Sequence, residues 1–180
     1  MKTQAGEGRR RAGPGGEATA VGDTIRFTDA EWLAAAVTLA TSNVAGGGSP
    51  LGAFVVRDDV VLGRGVNRVT RDNDPTAHAE VCAIRAACTA LDDFSLVSTT
   101  LYASSEPCTL CLAASLWARV DRVLFAADRY DAAMLVATTS SSTGCSPRTV
   151  PLAHDGGECG RGRGAAPFDA WLASPERVRY

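Results

Sequence analysis

His78-Ala79-Glu80 and Cys108-Thr109-Leu110-Cys111 constrain this 180-residue chain more than any other feature. One imidazole and two thiolates are ligand types that zinc prefers in a tetrahedral site. Histidine and first cysteine stand 30 positions apart (108 − 78), so the fold must bring two distant segments to one point. Three protein ligands with a fourth position left to water is the pattern of a catalytic zinc, whereas a structural zinc is closed by four. Neutral His78 and the thiolates of Cys108 and Cys111 balance the two charges of the ion. Water at such a site loses a proton near neutral pH, and Glu80 is placed to shuttle that proton. Each half of the pattern alone is weak, since C-x-x-C also occurs in redox and structural zinc sites. Together, in this order, they are specific.

Local sequence sets both halves at helix starts. Asn73-Asp74-Pro75 reads as a cap followed by proline in the first turn, predicting a helix from about Pro75 towards Leu91 with His78 near its N-terminus. Ser105-Glu106-Pro107 repeats the device, so Cys108 and Cys111 fall in first turns at i and i+3 on one face. Helix N-termini carry partial positive charge and favour thiolates.

The rest of the chain reads as one domain after a short extension. Residues 1–22 are rich in Gly, Arg, Ala and Glu and are expected to be a disordered extension, leaving 23–180 as the zinc-bearing domain. Thr28-Asp29-Ala30-Glu31 is a capping box that opens a helix with Leu33, Val37 and Ala40 near one face. Gly46 to Pro50 ends it. Leu51 to Val56 and Val60 to Leu62 read as strands around a turn at Asp58-Asp59. Asn67 to Asp74 reads as a polar loop, and Thr99 to Ala103 and Arg122 to Ala126 read as strands. A short helix is expected over Asp131 to Ala137 and a terminal helix around Pro167 to Leu172. Residues 138–165 form a long Ser/Thr/Gly/Arg-rich loop with one strand around Thr149 to Leu152. The order α-β-β-α-β-α-β-α predicts an α/β fold, a three-layer α/β/α sandwich with a mixed central sheet.

Composition narrows the function classes. Hydrophobic residues make up 46% and charged residues 21%, and the net charge is −2, so nothing in the balance points to a nucleic-acid partner. No stretch has the ~20 apolar residues of a membrane span. Arg9-Arg10-Arg11 lacks the apolar run of an export signal, so the chain is read as cytoplasmic and its six cysteines as mostly reduced. Cys82 and Cys88 then read as small packing residues.

The combined motif matches the H-x-E…P-C-x-x-C pattern of zinc-dependent base deaminases. With Asn73 to Val81, Glu106 to Leu112, Trp117-Ala118-Arg119 and the Pro167-Phe168…Trp171…Tyr180 ending, the chain resembles the cytidine deaminase superfamily, and within it the bacterial guanine deaminases, over roughly residues 28–180. The resemblance implies a cytidine deaminase-like sandwich holding one Zn2+ per chain. It implies hydrolytic deamination of guanine or a related aminopurine or aminotriazine, with release of ammonia. Glu80 would be the general acid/base, passing its proton to the ring nitrogen and the leaving amino group. The side-chain amide of Asn67 and the backbone N–H of Ala79 would contact the base, Trp117 would stand beside the pocket, and Tyr180 would close it. The resemblance also implies a homodimer, domain-swapped at the C-terminus in some relatives, for which the segment Leu112 to Trp117 supplies an apolar surface. Two positions depart from the pattern: Leu51 stands where these relatives carry phenylalanine, and Ala137-Thr138-Thr139-Ser140 where they carry an acid that reads the purine edge.

Other readings stay open on the residues themselves. The target is a free base, a nucleoside or adenosine in tRNA. A non-catalytic interaction module closed by His154 or Cys159 as fourth ligand would leave Glu80 without a task. Taken singly, Asn67 reads as a turn residue, Trp117 as core packing and Tyr180 as a free terminus.

Overall fold

The computed structural model describes residues 26–128, 164–175 and 177. The extension 1–22, the expected helix 131–137, the strand at 149–152, His154, Cys159 and Tyr180 lie outside the described residues, as does all of the 138–165 loop but its last two positions.

Helix α1, Asp29–Ala45, opens with the expected capping box: Glu31 N–H donates to Thr28 Oγ1 at 3.3 Å, and Thr28 N–H donates to the Glu31 carboxylate at 2.8 Å. Strands β1 (Gly52–Arg57) and β2 (Val60–Val66) form a hairpin. Asp58 and Asp59 have φ of 50° and 62°, the left-handed pair that a tight two-residue hairpin turn needs. A one-turn helix α2, Val69–Asp72, lies within the segment expected to be loop, held by a bidentate Arg68–Asp72 pair at 2.6 and 2.7 Å. Then follow α3 (Ala79–Leu91), β3 (Thr100–Ser105), α4 (Thr109–Trp117), β4 (Arg122–Ala127) and α5 (Ala166–Ala173).

The sheet order is β2-β1-β3-β4, with β1 antiparallel to both β2 and β3, and β3 parallel to β4. It is the mixed central sheet expected. Alternation along β1 sends Ala53 and Val55 to one face, where Ala79, Ala83 and Ala87 of α3 join Leu101 and Val123 in the main core. Val56, Tyr102 and Leu124 face the other side and pack on Trp32 and Leu33 of α1, which also carries α5. Helices cover both faces, giving three layers. The Tyr102 hydroxyl donates to Asp29, and Arg122 Nη2 donates to the same carboxylate at 2.9 Å, tying the start of α1 to β3 and β4.

Both site-bearing helices begin later than expected. Asp74 Oδ1 accepts from the Thr76 N–H at 2.8 Å and from its hydroxyl at 2.7 Å, so Pro75 sits in an Asp-centred turn and not in a helix. Arg68 N–H takes the Ala77 carbonyl at 2.9 Å, and α3 can start only after that pairing. Glu106 N–H likewise still donates to the Ala127 carbonyl at 2.8 Å, which delays α4 to Thr109. His78 and Cys108 are therefore the N-caps of α3 and α4, and Cys111 lies in the first turn of α4.

Candidate metal centre

Topology brings the ligands together. Because β1 opposes both β2 and β3, strands β2, β3 and β4 run the same way and their carboxyl ends share one rim of the sheet. The segment after β2 leads to His78 and the segment after β3 leads to Cys108, so both helix N-termini start from that rim. Ligand sites in open α/β sheets form at such carboxyl ends.

Gly63 and Gly65 set the depth of α3. A Cβ on Gly65 would lie 2.1 Å from the Ala79 carbonyl oxygen, and one on Gly63 would lie 2.3 Å from that of Ala83. Only hydrogen fits there, so the Ala79/Ala83/Ala87 face of α3 rests directly on the β2 backbone, fixing the helix that carries His78 and Glu80.

His78 Nδ1 stands 3.6 Å from Cys108 Sγ and 3.5 Å from Cys111 Sγ, and the two sulfurs are 3.5 Å apart. Bond lengths of about 2.3 Å to sulfur and about 2.0 Å to nitrogen give tetrahedral edges of about 3.8 Å (S–S) and about 3.5 Å (S–N). The three atoms therefore fit around one zinc ion with little adjustment. Among the described residues, this is the group of three His, Cys or acidic side chains close enough to hold a metal. Cys111 is buried, His78 half-buried and Cys108 exposed, so the group reaches the protein surface on its Cys108 side.

The charges suit a cation. The Cys111 thiol and the His78 ring hold the Cys108 thiol down to about 3 against its burial. Cys111 is pushed up by Cys108 beside it and by burial, so the metal-free pair carries one thiolate. The hydrogen bond with Cys108 raises His78. Glu80 is 6% exposed, and burial raises its carboxyl above the usual range, while the Cys111 thiol reaches it. A buried carboxyl held above the usual carboxylate range keeps a proton more readily than an exposed one, which suits a proton shuttle.

The other expected residues fall out unevenly. Ala79 is the first residue of α3 and 1% exposed; its N–H has no acceptor within the helix. Asn67 follows β2 and is 2% exposed. Its Oδ1 accepts from Val69 N–H at 3.2 Å, which fixes the amide orientation and leaves the buried Nδ2 without a partner. Arg68 N–H on the Ala77 carbonyl places Asn67 alongside the chain entering His78. Trp117 ends α4 with 85% of its surface exposed, so it is not core packing.

Two features escaped the sequence reading. Gly63 and Gly65 are one; the G-x-G spacing gains meaning only opposite the alanines of α3. The other is Asn43 near the end of α1, buried at 6% exposure, whose Nδ2 donates to the Ser49 and Asn67 carbonyls. A polar residue inside an apolar helical pattern was its only signal.

Comparison with known proteins agrees with the geometry. The family model for the cytidine and deoxycytidylate deaminase zinc-binding region matches residues 27–127, more than half of the chain. The chain is 52% identical over 103 residues to the guanine deaminase of Bacillus subtilis (strain 168), an alignment that takes in 57% of this chain and 66% of that one. It is 37% identical over 103 residues to the tRNA-specific adenosine deaminase of Buchnera aphidicola subsp. Schizaphis graminum, taking in 57% of this chain and 68% of the relative. The alignments thus span about two thirds of these relatives' own lengths. The solved guanine deaminase structure from Bacillus subtilis superposes with a TM-score of 0.55 and 39% identity, covering 83% of this chain and 96% of that one. The three-ligand zinc set, the mixed sheet and the matched region together make this chain a member of the cytidine and deoxycytidylate deaminase family, with a zinc-binding deaminase domain.

Proposed function

We propose that the protein catalyses hydrolytic deamination of a free nucleobase-like heterocycle, guanine or a related aminopurine or aminotriazine. The observation that carries this reading is the buried, unpartnered Nδ2 of Asn67 beside the chain that enters His78. A buried donor without an acceptor costs about 1–3 kcal/mol. A ring nitrogen or carbonyl of a base would satisfy it.

In this reading His78, Cys108 and Cys111 hold the zinc. When bound, the metal supplies Lewis acidity that brings the pKa of water down to about 7. Water adds to the amidine carbon bearing the amino group, the carbon–nitrogen bond breaks, and a carbonyl and ammonia result. Glu80 takes a proton from the water, gives one to the ring nitrogen and carries the next to the departing amine. Ala79 N–H faces a carbonyl of the base. Trp117 and Tyr180 take the places beside and over the pocket that the guanine deaminase resemblance gives them. A second copy of the chain would cover Leu110, Leu116 and Trp117, which expose 42%, 49% and 85% of their surface on α4.

Ammonia release by zinc-loaded protein from a panel of aminopurines, aminotriazines, aminopyrimidines and their nucleosides tests the proposal, with Glu80→Gln as control. The variant should keep its zinc and lose at least about a hundredfold in turnover, the low end of the contribution of a positioned general acid/base. A fully active Glu80→Gln protein would refute the mechanism. The similarity to tRNA-specific adenosine deaminases supports one second reading, adenosine in tRNA. Turnover of a tRNA anticodon stem-loop, with binding that weakens steeply as salt rises, would favour it over a free base.

A further inference from the structure

We infer that Asn43 is a positioning residue that sets the orientation of Asn67 at the site, an inference that rests on the reading of Asn67 as the group that binds the base. Asn67 stands just beyond the last paired residue of β2, so the ladder does not hold its carbonyl. Asn43 does: its Nδ2 donates to the Asn67 carbonyl at 3.0 Å and to the Ser49 carbonyl at 2.8 Å, using both amide hydrogens. Arg71 Nη2 closes the other end of the amide, donating to Asn43 Oδ1 at 3.4 Å and to the Gly46 carbonyl at 3.3 Å.

The chain around Asn43 is shaped to this contact. Gly46 and Gly48 N–H groups donate to the Asn43 carbonyl at 3.1 and 2.9 Å, with Gly47 between them at φ 78°. A Cβ on Gly48 would lie 2.3 Å from Asn43 Nδ2, so the loop passes against the amide where only glycine fits.

The peptide linking Asn67 to Arg68 is thereby pinned at both ends. Its oxygen is held by Asn43 of α1, and its N–H by the Ala77 carbonyl, one residue before His78. With Leu51 O accepting from Asn67 N–H at 3.1 Å and Oδ1 taken by Val69, Nδ2 is the one group of Asn67 left for a ligand. Removing the Asn43 amide frees the carbonyl end of that peptide. Rotation there swings the Asn67 side chain while leaving His78, Cys108, Cys111 and Glu80 where they are.

The test is steady-state ammonia release from guanine by zinc-loaded Asn43→Ala, Asn67→Ala and the double variant. Arg71→Met, at an exposed position, perturbs the same amide without opening a cavity. We expect Asn43→Ala to raise KM about tenfold, with zinc content unchanged and kcat altered less, the size of one lost hydrogen bond to a buried group. Arg71→Met should raise KM by about two- to threefold. In the Asn67→Ala background, Asn43→Ala should change KM by less than about twofold, because the group it positions is gone. Effects of Asn43→Ala and Asn67→Ala that multiply, or a loss of zinc in step with activity, would overturn the inference in favour of a general structural role. If Asn43→Ala does not fold, Arg71→Met decides, and an unchanged KM overturns it. A wild-type protein inactive on guanine, or an Asn67→Ala variant with unchanged KM, instead removes the reading of Asn67 as the base-binding group and the inference with it.

Discussion

Replacing Gly65 with alanine should damage activity far more than stability. The added Cβ would lie 2.1 Å from the Ala79 carbonyl oxygen, 2.4 Å from the Ala83 nitrogen and 2.9 Å from the Cys82 carbonyl carbon, all backbone atoms that no side-chain rotation can clear. Relieving these contacts to an ordinary separation of about 3.4 Å requires α3 to move by about 1.3 Å. Overpacking of this kind costs about 1–3 kcal/mol. The smaller entropy of the unfolded alanine chain returns about 0.4–1 kcal/mol, since Gly65 does not need a positive φ. The net loss of about 1–2 kcal/mol corresponds to a Tm drop of about 2–8 °C for a domain of this size. The displacement falls on the turn carrying His78 and Glu80, where ligand distances tolerate about 0.2 Å and a 1 Å misplacement costs about a hundredfold in rate. Gly63→Ala is the matched control. Its Cβ would meet Ala83 O at 2.3 Å and Ala87 N at 2.5 Å, an equal clash one turn further from the site. Thermal unfolding, zinc content and ammonia release should show similar Tm losses for both variants, with about a hundredfold loss of kcat/KM for Gly65→Ala and less than about tenfold for Gly63→Ala. Equal activity losses, or a fully active Gly65→Ala protein, would refute the argument that β2 sets the depth of the site.

Cys111→Ser should abolish stoichiometric zinc binding, and a chelator should lower the stability of the wild type, by about 4 kcal/mol if free zinc had stood a thousandfold above its Kd; metal analysis and unfolding with and without chelator check both. Burial opposes ionisation of Asp29, but the hydrogen bonds from Tyr102 and Arg122 outweigh it and hold the carboxyl below its ordinary 3.8, so the group stabilises the fold above that pH and loses its contribution as pH falls through the depressed folded value. The difference in urea midpoint between wild type and Asp29→Asn should therefore be present at pH 7 and close on acidification below 3.8. Trp117→Arg, at a position 85% exposed on the single chain, should shift a homodimer towards monomer in analytical ultracentrifugation while leaving the helix content unchanged.

The grouping of His78, Cys108 and Cys111 was legible because ligand chemistry is written in residue type and spacing, and the Thr28–Glu31 cap and the Asp58-Asp59 turn because their physics is local. The start of α3 was not. Asn73-Asp74-Pro75 has the residues of a helix cap, yet Asp74 spends its carboxylate on Thr76 two residues on, and only the pairing of Arg68 with Ala77, nine residues apart, decides between the two. Asn43 was hidden for the same reason, since its partner Asn67 lies 24 positions away. Trp117 differs again: residue type alone argues for burial, and its position at the end of α4 leaves it exposed.

Reaction class and substrate are carried by different parts of such a domain. Relatives named for guanine and for adenosine in tRNA each align with this chain over 103 residues. Both substrates present the same reacting unit, a ring carbon bearing an exocyclic amine beside a ring nitrogen, so the proton shuttle proposed for Glu80 would serve either. His78, Glu80, Cys108 and Cys111 sit at the starts of α3 and α4, where β2 and the sheet rim leave them little freedom. Asn67 is held differently, by the Leu51 carbonyl, by the Val69 N–H and by an amide reaching over from α1. Under the proposed function, a change in those contacts re-aims the Asn67 amide without disturbing Glu80 or the cluster of His78, Cys108 and Cys111. Substitutions around Asn43, Ser49 and Arg71 should accordingly alter which heterocycle is preferred, whereas substitutions against α3 should slow every substrate alike.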